Sequence, residues 1–87
     1  MDNQAIALLS SNSIRIFLAH ILEIDSSIVR EDAGIYRTQN WDSLAQMEIV
    51  IGLEDQLCTH IPDETIEQLT TLSGIENYII TISEKSS

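Results

Sequence analysis

The distribution of apolar residues predicts an all-α protein: a small four-helix bundle with three long helices, one short helix and a long loop after the first. Three observations carry this expectation. Apolar residues recur at three- and four-residue spacing within Ile14–Leu22, Leu44–Leu57 and Leu72–Ile82, which is a helical period. Residues suited to helix capping stand ahead of two of those stretches, Asp42 or Ser43 before one and Thr70 or Thr71 before the other. Finally, 87 residues of which 44% are hydrophobic suffice for one modest core, and with 5% aromatic residues that core is built mostly of Leu and Ile. A single domain over residues 1–87 is expected, with its core at about 14–82.

The first 13 residues are ambiguous. Ile6, Leu8 and Leu9 could add a helical turn or two, whereas Ser-Ser-Asn-Ser at Ser10–Ser13 reads as a cap or break. From Ile14 onward, Phe17, Leu18, Ile21 and Leu22 share one face of a helix ending near Glu23, with Arg15 and His20 off that face. Residues 25–40 lack a sustained period and are long for a free loop. Ile24, Ile28, Val29, Ile35 and Tyr36 are expected to pin the loop, with a short helical turn at Ser26–Val29 capped by Asp25.

The helix beginning at Ser43 is the centre of the chain. Leu44, Met47, Val50, Ile51, Leu53 and Leu57 supply its periodic apolar residues, and Glu48, Gly52 and Asp55 lie along another side. Pro62 forces an extended residue before it and can begin a short helix, with Asp63 and Glu64 favourably placed in its first turn. The last helix presents Leu72, Ile75, Ile79 and Ile82, and the Ser-Glu-Lys-Ser-Ser tail should fray.

Charge narrows the function. With 14 acidic and 4 basic residues the formal charge is −10, which would repel nucleic acid and suits basic protein partners. The same acidity also serves solubility. The lone Cys58 offers no internal disulfide and fits a reducing, cytoplasmic setting; it is read as partly buried or incidental. No apolar run is long enough for a membrane span, and the start lacks the basic residues of a signal peptide. His20 and His60 have no metal-like spacing with each other or with Cys58. A Ser43–His60–Asp triad has neither the elbow motif nor an oxyanion loop, so an enzyme is not expected.

Taken together, Asp-Ser-Leu at 42–44, the acidic helix through Leu57, Ile-Pro-Asp-Glu at 61–64, Leu-Thr-Thr-Leu at 69–72 and Asn-Tyr-Ile at 77–79 resemble an acyl carrier protein. The resemblance covers about Ile14–Ile82. It implies a non-catalytic, monomeric carrier. Ser43 would receive 4′-phosphopantetheine from coenzyme A through a phosphopantetheinyl transferase, making a phosphoprotein that holds its cargo as a thioester. Asp42 would orient the metal-bound cofactor during transfer, and Leu44 would anchor the helix start in the core. Glu48, Glu54 and Asp55, with Met47 and Ile51, would meet acyl-loading and acyl-processing enzymes through basic docking surfaces.

Three departures distinguish this chain from that pattern: Asn40 in place of a glycine, Trp41 in place of a small residue, and Arg37-Thr38-Gln39 in place of an acidic-leucine segment. Trp41 could pack beneath the loop or touch the arm or a partner, and it is counted among the partner-binding candidates. These departures lean toward a specialised biosynthetic pathway. The competing readings are a peptidyl or aminoacyl carrier and an unmodified adaptor that docks through the acidic helix.

Overall fold

The computed structural model describes residues 11–86. Four α-helices follow in order: α1 (Ser11–Leu22), α2 (Ser43–Leu57), α3 (Asp63–Ile66) and α4 (Leu72–Ser86). Among the described residues there are no strands. The expected all-α bundle, with three long helices, one short helix and a long first loop, is the architecture observed. None of its described helices is long and apolar enough to cross a membrane.

Helix α1 buries Ile14, Leu18, Ala19 and Leu22, with Phe17 and Ile21 half-buried beside them. It already includes Ser11–Ser13, so the break expected there does not occur at those three residues. The extra turn considered for Ile6–Leu9 lies outside the described residues. Glu23 ends the helix in the left-handed region (φ 57°), and the Ile24 N–H reaches back to the Ala19 carbonyl at 3.1 Å. Such a reversal satisfies a carbonyl that would otherwise lack an intrahelical donor.

The long loop is pinned, as its apolar residues predict, but by fewer of them. Asp25 accepts a hydrogen bond from the Ser27 N–H at 2.9 Å and caps a single 3-10 turn, Ser26–Ile28. Val29 and Ala33 are buried, and Ile24 and Ile35 pack against the core. Ile28 and Tyr36 are exposed, which corrects their assignment as anchors. Backbone contacts do the remaining work: Ile35 N–H donates to the Thr70 carbonyl at 2.8 Å and Leu72 N–H to the Ala33 carbonyl at 3.0 Å. The loop is thereby clipped to the α3–α4 junction.

Pro62 is extended (φ −67°, ψ 155°) and immediately precedes α3, which passes into a second 3-10 turn, Glu67–Leu69. Of the two threonines proposed as a cap for α4, Thr71 performs that role, its Oγ1 accepting from the Gly74 N–H at 3.0 Å. Gly74 is required sterically, because a Cβ there would sit 1.9 Å from the Gln68 carbonyl oxygen. Leu72, Ile75 and Ile79 are buried as their spacing predicts. Helix α4 runs to Ser86, so the fraying expected from Ser83 begins no earlier than that.

Candidate functional site

The site is assembled at the head of α2. Asp42 is the N-cap: its backbone is extended and its carboxylate accepts from the Ala45 N–H at 2.9 Å. This resolves the choice between Asp42 and Ser43 and leaves Ser43 as the first helical residue, exposed. Ser43 Oγ is hydrogen-bonded to the hydroxyl of Tyr36. Two residues upstream of Asp42, Asn40 adopts a left-handed backbone (φ 66°), a conformation in which asparagine is among the better tolerated non-glycine residues. Its Nδ2 donates to the Leu22 carbonyl at 2.8 Å, tying the approach to Ser43 onto the end of α1.

Trp41 occupies the floor of the site. It is 1% exposed, so its inclusion among partner-contacting residues is corrected: the packing role is the one realised. Its Nε1 donates to Gln46 Oε1 at 2.7 Å, and Gln46 Nε2 donates to the Leu69 carbonyl at 3.0 Å. A buried indole N–H and a buried amide are thus both satisfied, as burial of polar groups requires.

Helix α2 carries apolar residues on two opposite sides. Ala45, Gln46, Ile49, Val50 and Leu53 face the core. Leu44, Met47 and Ile51 are 71%, 50% and 61% exposed and form an outer stripe beginning next to Ser43. Leu44 therefore does not anchor the helix start in the core; that expectation is corrected, and Ala45 and Trp41 fill the space instead. The two stripes have nearly the same spacing, so periodicity identifies the helix without identifying its inner side.

Glu48 and Asp55 are exposed on the same outer side. They border an open groove with Phe17, Ile21 and Ile51, in which Gly52 allows α1 to approach closely: a Cβ at Gly52 would lie 3.0 Å from Phe17 Cζ. Glu54 differs from these two. Its Oε2 accepts from the Ile61 N–H at 2.8 Å and lies 3.3 Å from His60 Nδ1. The carboxylate closes the turn after α2, a structural role that the sequence reading did not assign to it.

The remaining residues weighed from the sequence lie elsewhere. His60 follows the C-terminus of α2 and Ser43 opens its N-terminus, roughly 22 Å apart along a 15-residue helix. No Ser–His–Asp arrangement is assembled from them. Cys58 is exposed and left-handed (φ 52°) at the end of α2, not partly buried. Among the described residues, no three His, Cys, Asp or Glu side chains converge as a metal site. Tyr36 was missed as a site residue: its partner is seven positions away across a loop without a period, and no local pattern links the two.

No protein-family model matches the chain. It is 30% identical over 67 residues to the acyl carrier protein of Helicobacter hepaticus, an alignment covering 77% of this chain and 88% of that protein. That identity, extending over most of both chains and joined to an all-α bundle with Asp-Ser-Leu opening its second long helix, shows that the chain belongs to the acyl carrier protein family.

Proposed function

We propose that Ser43 bears 4′-phosphopantetheine and that the protein carries an acyl group on it between partner enzymes. The observation supporting this most directly is an exposed hydroxyl at the first position of α2, at the upper end of an exposed apolar and acidic helix face. The site fits the group. Ser43 is accessible to a transferase, and first-turn N–H groups lacking intrahelical acceptors favour an attached phosphate. Bound there, the arm would supply a terminal thiol for thioester chemistry.

Each neighbouring residue then has a role of its own. Asp42 fixes the helix start and stands beside Ser43 for a metal ion brought by the transferase. Leu44, Met47 and Ile51 give partners an apolar strip, and Glu48 and Asp55 beside it attract basic docking surfaces. Trp41 and Glu54 are outside that surface and hold the helix in place. One carrier domain over residues 1–87 with its core at about 14–82, acting as a cytoplasmic monomer in a specialised pathway, agrees with this reading. Its acidic surface and Asp-Ser approach favour an acyl over a peptidyl load.

The test is intact mass after incubation with coenzyme A, Mg²⁺ and a promiscuous phosphopantetheinyl transferase. The expected result is a gain of one arm on the native protein and none on Ser43→Ala, with folding of the variant retained. A folded native protein that gains no arm would leave the docking-only adaptor as the better reading.

A further inference from the structure

Tyr36 is out of keeping with its surroundings. Its side chain is 74% exposed, while its backbone is held in the left-handed region (φ 65°), which bulky residues rarely enter. The loop cannot easily relax. Tyr36 N–H donates to the Trp41 carbonyl, Ile35 N–H donates to the Thr70 carbonyl, and Trp41 is itself buried. Glycine or asparagine would suit this backbone with less strain, and an exposed ring gains little from burial. The contact that tyrosine adds is a hydroxyl on Ser43.

We propose that Tyr36 is a positioning residue for the loading of Ser43: its phenol orients Ser43 Oγ before transfer and donates a hydrogen bond to the ester afterward. This inference rests on the reading of Ser43 as the attachment point. In loading, Ser43 Oγ forms a bond to the phosphorus that bears pantetheine in coenzyme A. The bond from that phosphorus to adenosine 3′,5′-bisphosphate breaks, the leaving group keeps the electron pair, and the serine proton passes to a base on the transferase.

Proton accounting then sets the direction of the hydroxyl pair. A serine that must release its proton is best served by a neighbour that donates to it, leaving Oγ–H free for the base. After transfer the serine oxygen has no hydrogen, so contact persists only with Tyr36 as donor. Asp42 cannot substitute, because its carboxylate, which accepts from the Ala45 N–H, has no hydrogen to donate. Its charge also offsets the roughly half-unit positive charge of the helix N-terminus. A neutral donor beside the ester therefore matters more here than at an uncapped helix end.

The experiment compares loading of the native chain, Tyr36→Phe and Tyr36→Asn by coenzyme A, Mg²⁺ and the transferase, with rates taken over a range of carrier concentrations. Tyr36→Phe should lower kcat about three- to tenfold, the range expected from loss of one hydrogen bond, with KM for the carrier changed less than about twofold. Phosphorus NMR of the fully loaded proteins should show a displaced phosphodiester resonance in Tyr36→Phe. Tyr36→Asn, which suits the left-handed backbone, should show the same loss of kcat and so separate the hydroxyl from loop strain. Unchanged kcat together with an unmoved phosphorus resonance would overturn the proposal. A rise in KM alone would overturn it too, making Tyr36 a docking residue. Failure of the folded native protein to load would instead overturn the reading of Ser43 and this inference with it.

Discussion

The inner and outer faces of α2 are built from similar side chains and do different work. Ile49, Val50 and Leu53 are at most 3% exposed, whereas Leu44, Met47 and Ile51 are at least half exposed. Burial of a leucine-sized side chain stabilises a fold by about 1.5–3 kcal/mol, so the inner face contributes to folding while the outer face withholds much of that contribution. On the proposed function, the exposed apolar strip bordered by Glu48 and Asp55 is the surface left available for association. The comparison teaches that residue type alone does not assign a role on this helix; the side it occupies does.

The sharpest way to break the comparison is to truncate one leucine on each face. Leu53→Ala should cost about 2–5 kcal/mol, since it empties part of a closed core, whereas Leu44→Ala should stay within about 0.5 kcal/mol. Denaturant midpoints of the two variants give the answer, and equal losses would abolish the distinction. Charge reversal at Glu48 and Asp55 sharpens it next. The double Lys variant moves the formal charge from −10 to −6, two units per substitution. Affinity for a basic partner enzyme should fall at low ionic strength and converge with the native value as salt rises. An affinity gap that does not depend on salt would contradict an electrostatic role for the outer face.

The smallest effect concerns the seam between the faces, where Glu54 stands. Burial first, and the Glu54 carboxylate second, push the Tyr78 phenol above its ordinary value of 10.0. The folded state thus keeps its proton at a pH where the unfolded chain has lost it. Stability should therefore begin to fall as pH rises past about 10 and go on falling until the folded phenol ionises. Tyr78→Phe should show a shallower decline in thermal midpoint over the same alkaline range; an identical decline would remove Tyr78 as a contributor.

The helices were legible in the sequence because period and caps are local. Ile14, Leu18 and Leu22, and likewise Leu72, Ile75 and Ile79, form single unambiguous stripes, and each lies in the core. Asp42 and Ser43 were legible as a helix start for the same reason. The orientation of α2 was not. Two apolar stripes compete there, and the inner one includes Gln46, a residue that hydropathy does not mark as core. The Tyr36–Ser43 pair and the closure of Glu54 onto Ile61 were equally hidden, since both join segments through turns whose course depends on three non-glycine residues at positive φ, Tyr36, Asn40 and Cys58.

The buried amide of Gln46 bears on how α2 chooses its azimuth. Rotated by about half a turn about its axis, the helix would still offer an apolar stripe, Leu44, Met47 and Ile51, to the other helices. That rotation would carry Glu48 and Asp55 inward and leave the Trp41 indole and the Leu69 carbonyl without Gln46. Buried polar groups stripped of partners cost about 1–3 kcal/mol each, and charged ones more. Gln46 accordingly acts as a locating pin that penalises the wrong rotation, where hydrophobicity alone would discriminate poorly. The pin that seats the helix also keeps Ser43 and the outer stripe turned toward solvent.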